Sequence, residues 1–356
     1  DHLFWHWHYW WQAQYLDCQV DAALRRGTKT RRRRIADTLR GIQRRNRGKL
    51  TANLHYDDKA WLTLAWNRAT QLDGIKRTRA LGELEFDLLA GIDPVTGVLP
   101  WRKGETFYNV PSNAPAAIIF ATTGRLDKAR EIVDWIFDNL VREDGLLNDG
   151  IRMRMSGPEV VEKIYTYNQG TALGASLEIA LALREDVGLA HDEQIDSFEY
   201  SERADASMFY ITHIRAIVQS VALNLATPQG VLVSPPQESG EGDGGLFKGI
   251  LARYLAEVAE RLPEDSKENI ATKKIAARLV MQSAESLWSH RLEVDGLPVF
   301  AAEWTQDARL PHNYGLGPSS ISEAVGLVRI DERDLSVQLS GWMLLEAAAR
   351  VAAAQG

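Results

Sequence analysis

The chain has 356 residues, 45% of them hydrophobic and 25% charged, which excludes a disordered or collagen-like protein. Its net charge of −7 excludes nucleic-acid binding by overall field, and its single cysteine, Cys18, excludes an internal disulfide or a thiolate metal cluster. No run of about 18 apolar residues is present, so a soluble chain without a membrane span is expected.

In chain order, apolar periodicity predicts helices over 8–26, 29–46, 57–73, 76–91, 112–123 and 126–141. It then predicts 167–184, 201–225, 245–262, 265–288, 319–328 and 333–353. Strand signals are short: Gly230 to Val233, and Leu292 to Phe300 around the turn pair Asp295-Gly296. Segments 93–111 and 142–166 read as irregular loops. Twelve helices in consecutive pairs suggest one all-α domain, an (α/α)6 barrel of six inner and six outer helices over residues 1–356. Length alone would suggest two domains. Inner helices, covered on both sides, should be more uniformly apolar than outer ones. Residues 167–184 fit an inner member and the Arg-rich 29–46 an outer one. Long loops gathered at one barrel end are where a site would lie.

Charge is uneven along the chain. Residues 25–49 hold twelve Lys and Arg against one acid, Asp37, so this segment carries +11 and the rest −18. Ile35, Leu39 and Ile42 recur at i, i+4, i+7 within it, so it reads as the solvated outer face of an amphipathic helix in preference to a nucleic-acid patch. No signal peptide is visible at Asp1. The expectation is a cytoplasmic protein, or a secreted one if the opening without Met reflects processing. Eleven Trp outnumber ten Tyr and nine Phe. Tryptophan faces suit sugar or base stacking as well as packing. Trp66, Trp135, Trp288 and Trp342, at helical spacing among aliphatic residues, read as core.

The chemistry-bearing pattern begins at Asn53-Leu54-His55-Tyr56-Asp57-Asp58, where a helix starts. Glycosidases need two carboxyls: one attacks or activates water, the other protonates the leaving oxygen. At a helix N-terminus two adjacent side chains can converge on a cleft, and neighbours reach the ~5–5.5 Å of a retaining pair more easily than ~6.5–9.5 Å. The helix dipole would favour an ionised Asp57, whose charge would keep Asp58 protonated. Acids at a helix start are equally preferred caps, so spacing leaves both readings open. Asn148-Asp149-Gly150, Tyr167-Asn168-Gln169-Gly170 and Tyr108-Asn109-Val110-Pro111-Ser112-Asn113 offer planar polar groups at turns and helix entrances. Asp243-Gly244-Gly245-Leu246-Phe247-Lys248-Gly249 lacks phosphate-loop spacing, which argues against nucleotide. His6 and His8 lack a third ligand nearby, and no G-x-S-x-G elbow exists.

Tyr56-Asp57-Asp58-Lys59-Ala60-Trp61, Asn109 to Asn113, Asn148-Asp149-Gly150, Tyr167-Asn168-Gln169-Gly170 and Phe247-Lys248-Gly249 together resemble glycoside hydrolase family 76, in that family's order. The stretch Leu335-Ser336-Val337-Gln338-Leu339 resembles its C-terminal helix. The resemblance implies an endo-acting, retaining α-1,6-mannanase without metal or cofactor, with Asp57 as nucleophile and Asp58 as general acid/base. It implies Asn109, Asn113, Asp149, Tyr167, Asn168, Gln169, Asp243 and Lys248 as substrate-binding residues, with Trp61, Trp101 and Tyr108 as sugar platforms. Tyr165 stands where many relatives have Trp. The Arg-rich helix and the opening run Trp5 to Trp11 resemble a bacterial branch, which implies a lipomannan-like backbone as natural substrate. A mannan transglycosidase, a sugar 2-epimerase using facing histidines on the same barrel, and a glycan-binding relative without catalysis are the alternatives.

Overall fold

The computed structural model describes residues 7–189, 197–238, 242–309 and 334–355. Eleven helices are found among these residues. They are α1 Tyr9–Arg25, α2 Lys29–Arg45, α3 Tyr56–Ala69, α4 Arg79–Ala90, α5 Val110–Thr122, α6 Leu126–Leu140, α7 Thr166–Leu189, α8 Ser197–Asn224, α9 Gly244–Arg261, α10 Lys267–Ser289 and α11 Leu335–Gln355. Capping sets several starts: the hydroxyls of Thr28, Thr78 and Ser266 accept the N–H groups of Arg31, Leu81 and Asn269. The cap at Thr78 delays α4 to Arg79, three residues later than periodicity suggests. The expected helix 319–328 lies outside the described residues.

Odd-numbered helices form a closed inner ring: α1, α3, α5, α7, α9 and α11 each pack on the next, and α11 returns to α1. The even-numbered helices pack outside them, giving the (α/α)6 barrel. Burial follows position. Every residue of α9 from Gly244 to Val258 is buried, whereas α2 buries only Ile35, Leu39 and Ile42. Close inner packing depends on missing side chains: a Cβ at Gly170 would stand 2.7 Å from the Leu251 Cα, and one at Gly249 equally close to the Ser340 Cα. Alanine at either position would push neighbouring inner helices apart.

Two loop expectations are corrected. Segments 93–111 and 142–166 contribute β1 Phe107–Asn109, β2 Gly150–Arg154 and β3 Gly157–Val161, a three-stranded antiparallel sheet in the order β1-β2-β3. These strands are short and mostly without in-out alternation, so periodicity could not signal them. The expected hairpin at 292–300 forms as β4 Leu292–Val294 and β5 Leu297–Val299, turning through Asp295 and Gly296, both at positive φ. Residues 230–233 contribute only an isolated bridge between Ala226 and Leu232. Of the four core tryptophans expected, Trp66 is buried and Trp135 and Trp342 are partly buried against the core. Trp288 is exposed, with the Arg291 guanidinium 4.1 Å from its ring centre.

A cavity of about 810 Å³ lies at the carboxyl ends of the inner helices. It is lined by ion pairs. Arg253 bonds Asp17 at 2.7 Å and Asp21 at 2.8 Å, and Arg68 pairs with the same two acids. Burial opposes ionisation of Asp21, but Arg68 and Arg253 bring its carboxyl down to about 2. This end is neutralised internally and its acids are committed to structure. No helix among the described residues is long and apolar enough to cross a membrane.

Candidate active site

The amino ends of α1, α3, α7 and α9 converge at the other end of the barrel. His55 occupies the position before α3 with extended backbone, so Asp57 and Asp58 both fall in the helix's first turn. Asp57 Oδ1 accepts the Asp58 backbone N–H at 2.9 Å, and its Oδ2 accepts the Trp101 indole N–H at 3.0 Å. Asp58 Oδ2 accepts from the Asn53 side-chain amide at 2.7 Å. Asn53 in turn fixes the turn, since its oxygen accepts the His55 N–H.

Burial, and next the charge of Asp58, push the Asp57 carboxyl well above its ordinary value, against the pull of its two N–H donors. Burial raises Asp58 too, opposed by Asn53 and then by His55. The sequence reading has the helix dipole keeping Asp57 ionised. In the fold, burial outweighs that effect and both carboxyls are raised, so the two titrate as a pair. Replacing Trp101 by Phe keeps an aromatic ring but removes the indole donor. The charged form of Asp57 then loses a hydrogen bond, and the acid limb of a pH–activity profile should move upward by about one unit. An unmoved limb would mean that the indole does not tune Asp57.

Aromatic rings wall the cleft. Tyr167 stacks on Phe247 at 3.9 Å between ring centres, and Tyr165 meets Phe247 edge-on at 5.4 Å. Trp61 lies between Trp10 at 6.2 Å and Tyr167 at 6.4 Å. Trp10 and Trp11 both donate to Asp243 Oδ1, at 2.9 and 2.7 Å, tying α1 to the start of α9. Asp243 in turn adds to the upward push on both Asp57 and Asp58. His8 stacks on Trp11 and, like His55, favours the ionised form of Asp58. Asp149 accepts from the Asn168 amide at 3.1 Å, and burial raises its carboxyl to about 6. Asn109 and Asn168 each keep a buried side-chain oxygen without a protein partner.

Four expected sugar-contacting residues are committed elsewhere. The Asn113 amide is saturated by backbone: it accepts the Leu99 N–H and donates to the Leu99 and Asn109 carbonyls. Gln169 likewise clamps Leu147 in both directions and donates to the Tyr165 carbonyl. Both therefore shape the loops that present Asp149 and Tyr108. The Tyr108 ring is buried edge-on to Trp135, with its hydroxyl donating to Asp93, so it faces the outer layer and offers no platform. Lys248 is buried, pairs with Glu303 at 3.1 Å and lies 5.2 Å from the Trp304 ring centre. Asp57, Asp58, Trp61, Trp101, Asp149, Tyr167, Asn168 and Asp243 remain grouped around the cleft, with Asn109 buried at the start of α5.

Sequence reasoning missed Glu238. Its carboxylate accepts the Thr166 N–H at 2.7 Å and the Thr166 hydroxyl at 3.0 Å, capping α7 just before Tyr167 and Asn168. A glutamate 72 residues away gives no local signal. Asn53 was visible within the motif, and only its spacing to Asp58 marked it. Burial raises Glu238 to about 7. Glu238 and Asp149 therefore bind protons more tightly folded than unfolded, so stability is highest below the unfolded values, 4.5 and 3.8, and falls as pH rises through 6 to 7. Each group costs about 3 kcal/mol once ionised. Glu238→Gln should narrow the difference in Tm between about pH 5 and about pH 8, measured by calorimetry. An unchanged difference would remove Glu238 as a source of the pH dependence. Among the described residues, no group of three or more His, Cys, Asp or Glu is placed to hold a metal ion.

Adjacent, half-buried carboxyls flanked by aromatic side chains, at one mouth of an (α/α)6 barrel, are the equipment of a glycosidase. The chain belongs to glycosyl hydrolase family 76, whose family model matches residues 2–322, and it is a glycosidase. Its structure is similar to that of the GH76A alpha-1,6-mannanase from Salegentibacter sp. HEL1_6, with TM-score 0.75 and 28% identity over 97% of this chain and 90% of that one. An inactive variant of that mannanase, two consecutive aspartates replaced by asparagines, in complex with alpha-1,6-mannotriose, is similar at TM-score 0.75 and 27% identity, with the same coverage. The Lin0763 protein from Listeria innocua is similar at TM-score 0.71 and 25% identity, over 98% of this chain and 87% of that one. No curated protein sequence matches the chain.

Proposed function

We propose that the chain is an endo-acting, retaining α-1,6-mannan hydrolase and that its whole length is one catalytic domain. The observation that carries this reading is the fixing of Asp57. Both of its oxygens accept N–H donors, from Asp58 and Trp101, as suits an anion held for attack. Asp58 is held through one oxygen by Asn53 and keeps capacity for the proton that an acid must deliver. Support for mannan comes from the Salegentibacter enzyme, an alpha-1,6-mannanase whose inactive variant carries asparagines in place of two consecutive aspartates. The natural polymer we propose is the α-1,6-mannan backbone of a lipomannan-like glycan.

In the first step an Asp57 oxygen bonds to the anomeric carbon as the glycosidic C–O bond breaks, and Asp58 gives its proton to the departing oxygen. Asp58, now ionised, takes a proton from water. The resulting hydroxide oxygen bonds to the same carbon and releases Asp57. Each step inverts the carbon once, so the product keeps the α configuration. Burial raises both carboxyls and so favours a pair that shares a proton. The first step requires that proton on Asp58, and the Asp58 N–H and the Trp101 indole favour this by holding the charge on Asp57. Asp149, Asn168 and Asp243 supply acceptors and a donor suited to hydroxyls, and the partly exposed Tyr167 and Trp101 supply flat faces, with the buried Trp61 packed behind Tyr167. Proton NMR of the first product from an α-1,6-mannooligosaccharide should show the α anomer ahead of mutarotation. An initial β anomer would mean a single displacement by water and would overturn the retaining mechanism.

A further inference from the structure

The molecule's charge is segregated, +11 over residues 25–49 against −18 over the remainder. In the fold this segment is α2 with its flanking turns. Its apolar residues face the barrel, while Arg33, Arg34, Arg44, Arg47 and Lys49 stand exposed. The Arg33 side chain keeps 84% of its exposure although Asp37 is 3.8 Å away. Asp37 is shared with Arg40 and is the segment's only acid, and of the segment's other cations Arg25 pairs with Glu346 at the barrel's far end, so the charge on the outer face of α2 is left in excess. The helix is about 25 Å long at 1.5 Å per residue. Its carboxyl end reaches the cleft: the Arg45 guanidinium lies 5.7 Å from the centre of the Trp7 ring, and Lys49 precedes by four residues the Asn53 that holds Asp58. Exposed Lys103, whose backbone N–H bonds the Leu54 carbonyl at 2.8 Å, adds a further cation to that rim.

We propose that the outer face of α2 docks the enzyme on an anionic phospholipid surface, with the cleft at the edge of the contact. Cations spread along the outside of one helix meet many phosphates at once on an extended surface, and each strengthens the contact by about fivefold. The net acidic remainder is repelled by the same surface, which favours approach through the α2 face. Residues 25–49 contain no Phe, Tyr, Trp or His, and so no ring on which the bases of a single-stranded nucleic acid could stack. That the docked surface also carries the polysaccharide to be cut rests on the mannan reading above. The docking itself does not.

The test uses the full chain and its Asp57→Asn variant, floated with vesicles of phosphatidylcholine alone or of phosphatidylcholine and phosphatidylglycerol in equal parts. Both proteins should float with the anionic vesicles at low salt, stay behind with the neutral ones, and release as salt is raised. The triple variant Arg33→Glu, Arg34→Glu, Arg44→Glu should lose on the order of a hundredfold in vesicle affinity. It should keep its circular dichroism spectrum and its turnover of a short soluble oligosaccharide. Failure to bind anionic vesicles, binding unchanged in the triple variant, or tighter binding to duplex DNA than to the vesicles would each overturn the proposal. Because Asp57→Asn is tested for binding alone, a failed mannanase reading would leave this result legible.

Discussion

Asp57→Asn and Asp58→Asn should each abolish practical turnover of α-1,6-mannan while leaving the fold intact. Loss of a positioned general acid costs ~10²–10⁴-fold, and loss of the nucleophile removes the covalent route altogether. Neither substitution should unfold the protein. Both carboxyls are raised by burial, so a neutral amide removes a cost that the folded state bears. The two roles separate chemically with azide as an added nucleophile. In Asp57→Ala, azide would replace the missing carboxylate and invert the carbon once, giving a β-mannosyl azide from a substrate with an activated leaving group. In Asp58→Ala, azide would attack the glycosyl-Asp57 ester and give the α product. Near-wild-type activity of either Asn variant, or azide products of the opposite configuration, would contradict the assignment.

Arg253→Ala should produce the largest loss of stability, roughly 3–5 kcal/mol by denaturant unfolding, because it leaves buried carboxylates with half their counter-charge. Arg253 is 3% exposed and bonds both Asp17 and Asp21, themselves buried on α1. Arg68 would remain as the only cation paired with these two acids among the described residues. The network joins α1, α3 and α9 at the barrel's far end, so its loss should loosen the inner ring without touching the cleft. A variant with unchanged stability would mean that Asp17 and Asp21 take up protons or water at little cost. Activity of the surviving folded fraction should be close to normal, which distinguishes this end of the barrel from the other.

The barrel was legible because covering a helix on both faces demands a composition that one face does not. Residues 167–184 read as inner and 29–46 as outer on that ground, and the fold places α7 and α2 so. The sheet β1-β2-β3 was not legible, since its strands are brief and are fixed by contacts made after the chain has folded back. Asp57 and Asp58 stand out as neighbours at a helix start, but spacing leaves a capping role open, and it is the resemblance to family 76 that singles them out as catalytic. Their pKa ordering was not legible, because burial depends on every element packed around them. Asn113 and Gln169 show the limit of motif reading. Their amides are in the right region, yet both are spent on backbone groups of Leu99 and Leu147, and a recurrent polar residue at a cleft can serve the loop before the ligand. Glu238 reaches the site from 72 residues away, and only the fold could bring it there.

The tryptophan excess divides accordingly. Trp66 is core, Trp11 and Trp61 are buried behind the site, Trp10 and Trp101 stay partly exposed at it, and Trp288 remains on the surface. Composition permits sugar stacking, and under the proposed function Trp101, which donates to Asp57, is the ring placed for it.

The most direct test of the central claim is incubation with α-1,6-mannooligosaccharides of several lengths, the products followed by mass. Internal cleavage to short oligosaccharides by the wild-type chain, absent from Asp57→Asn, is the expected result. Tight binding with no change in mass over long incubation, or release of terminal mannose alone, would contradict it.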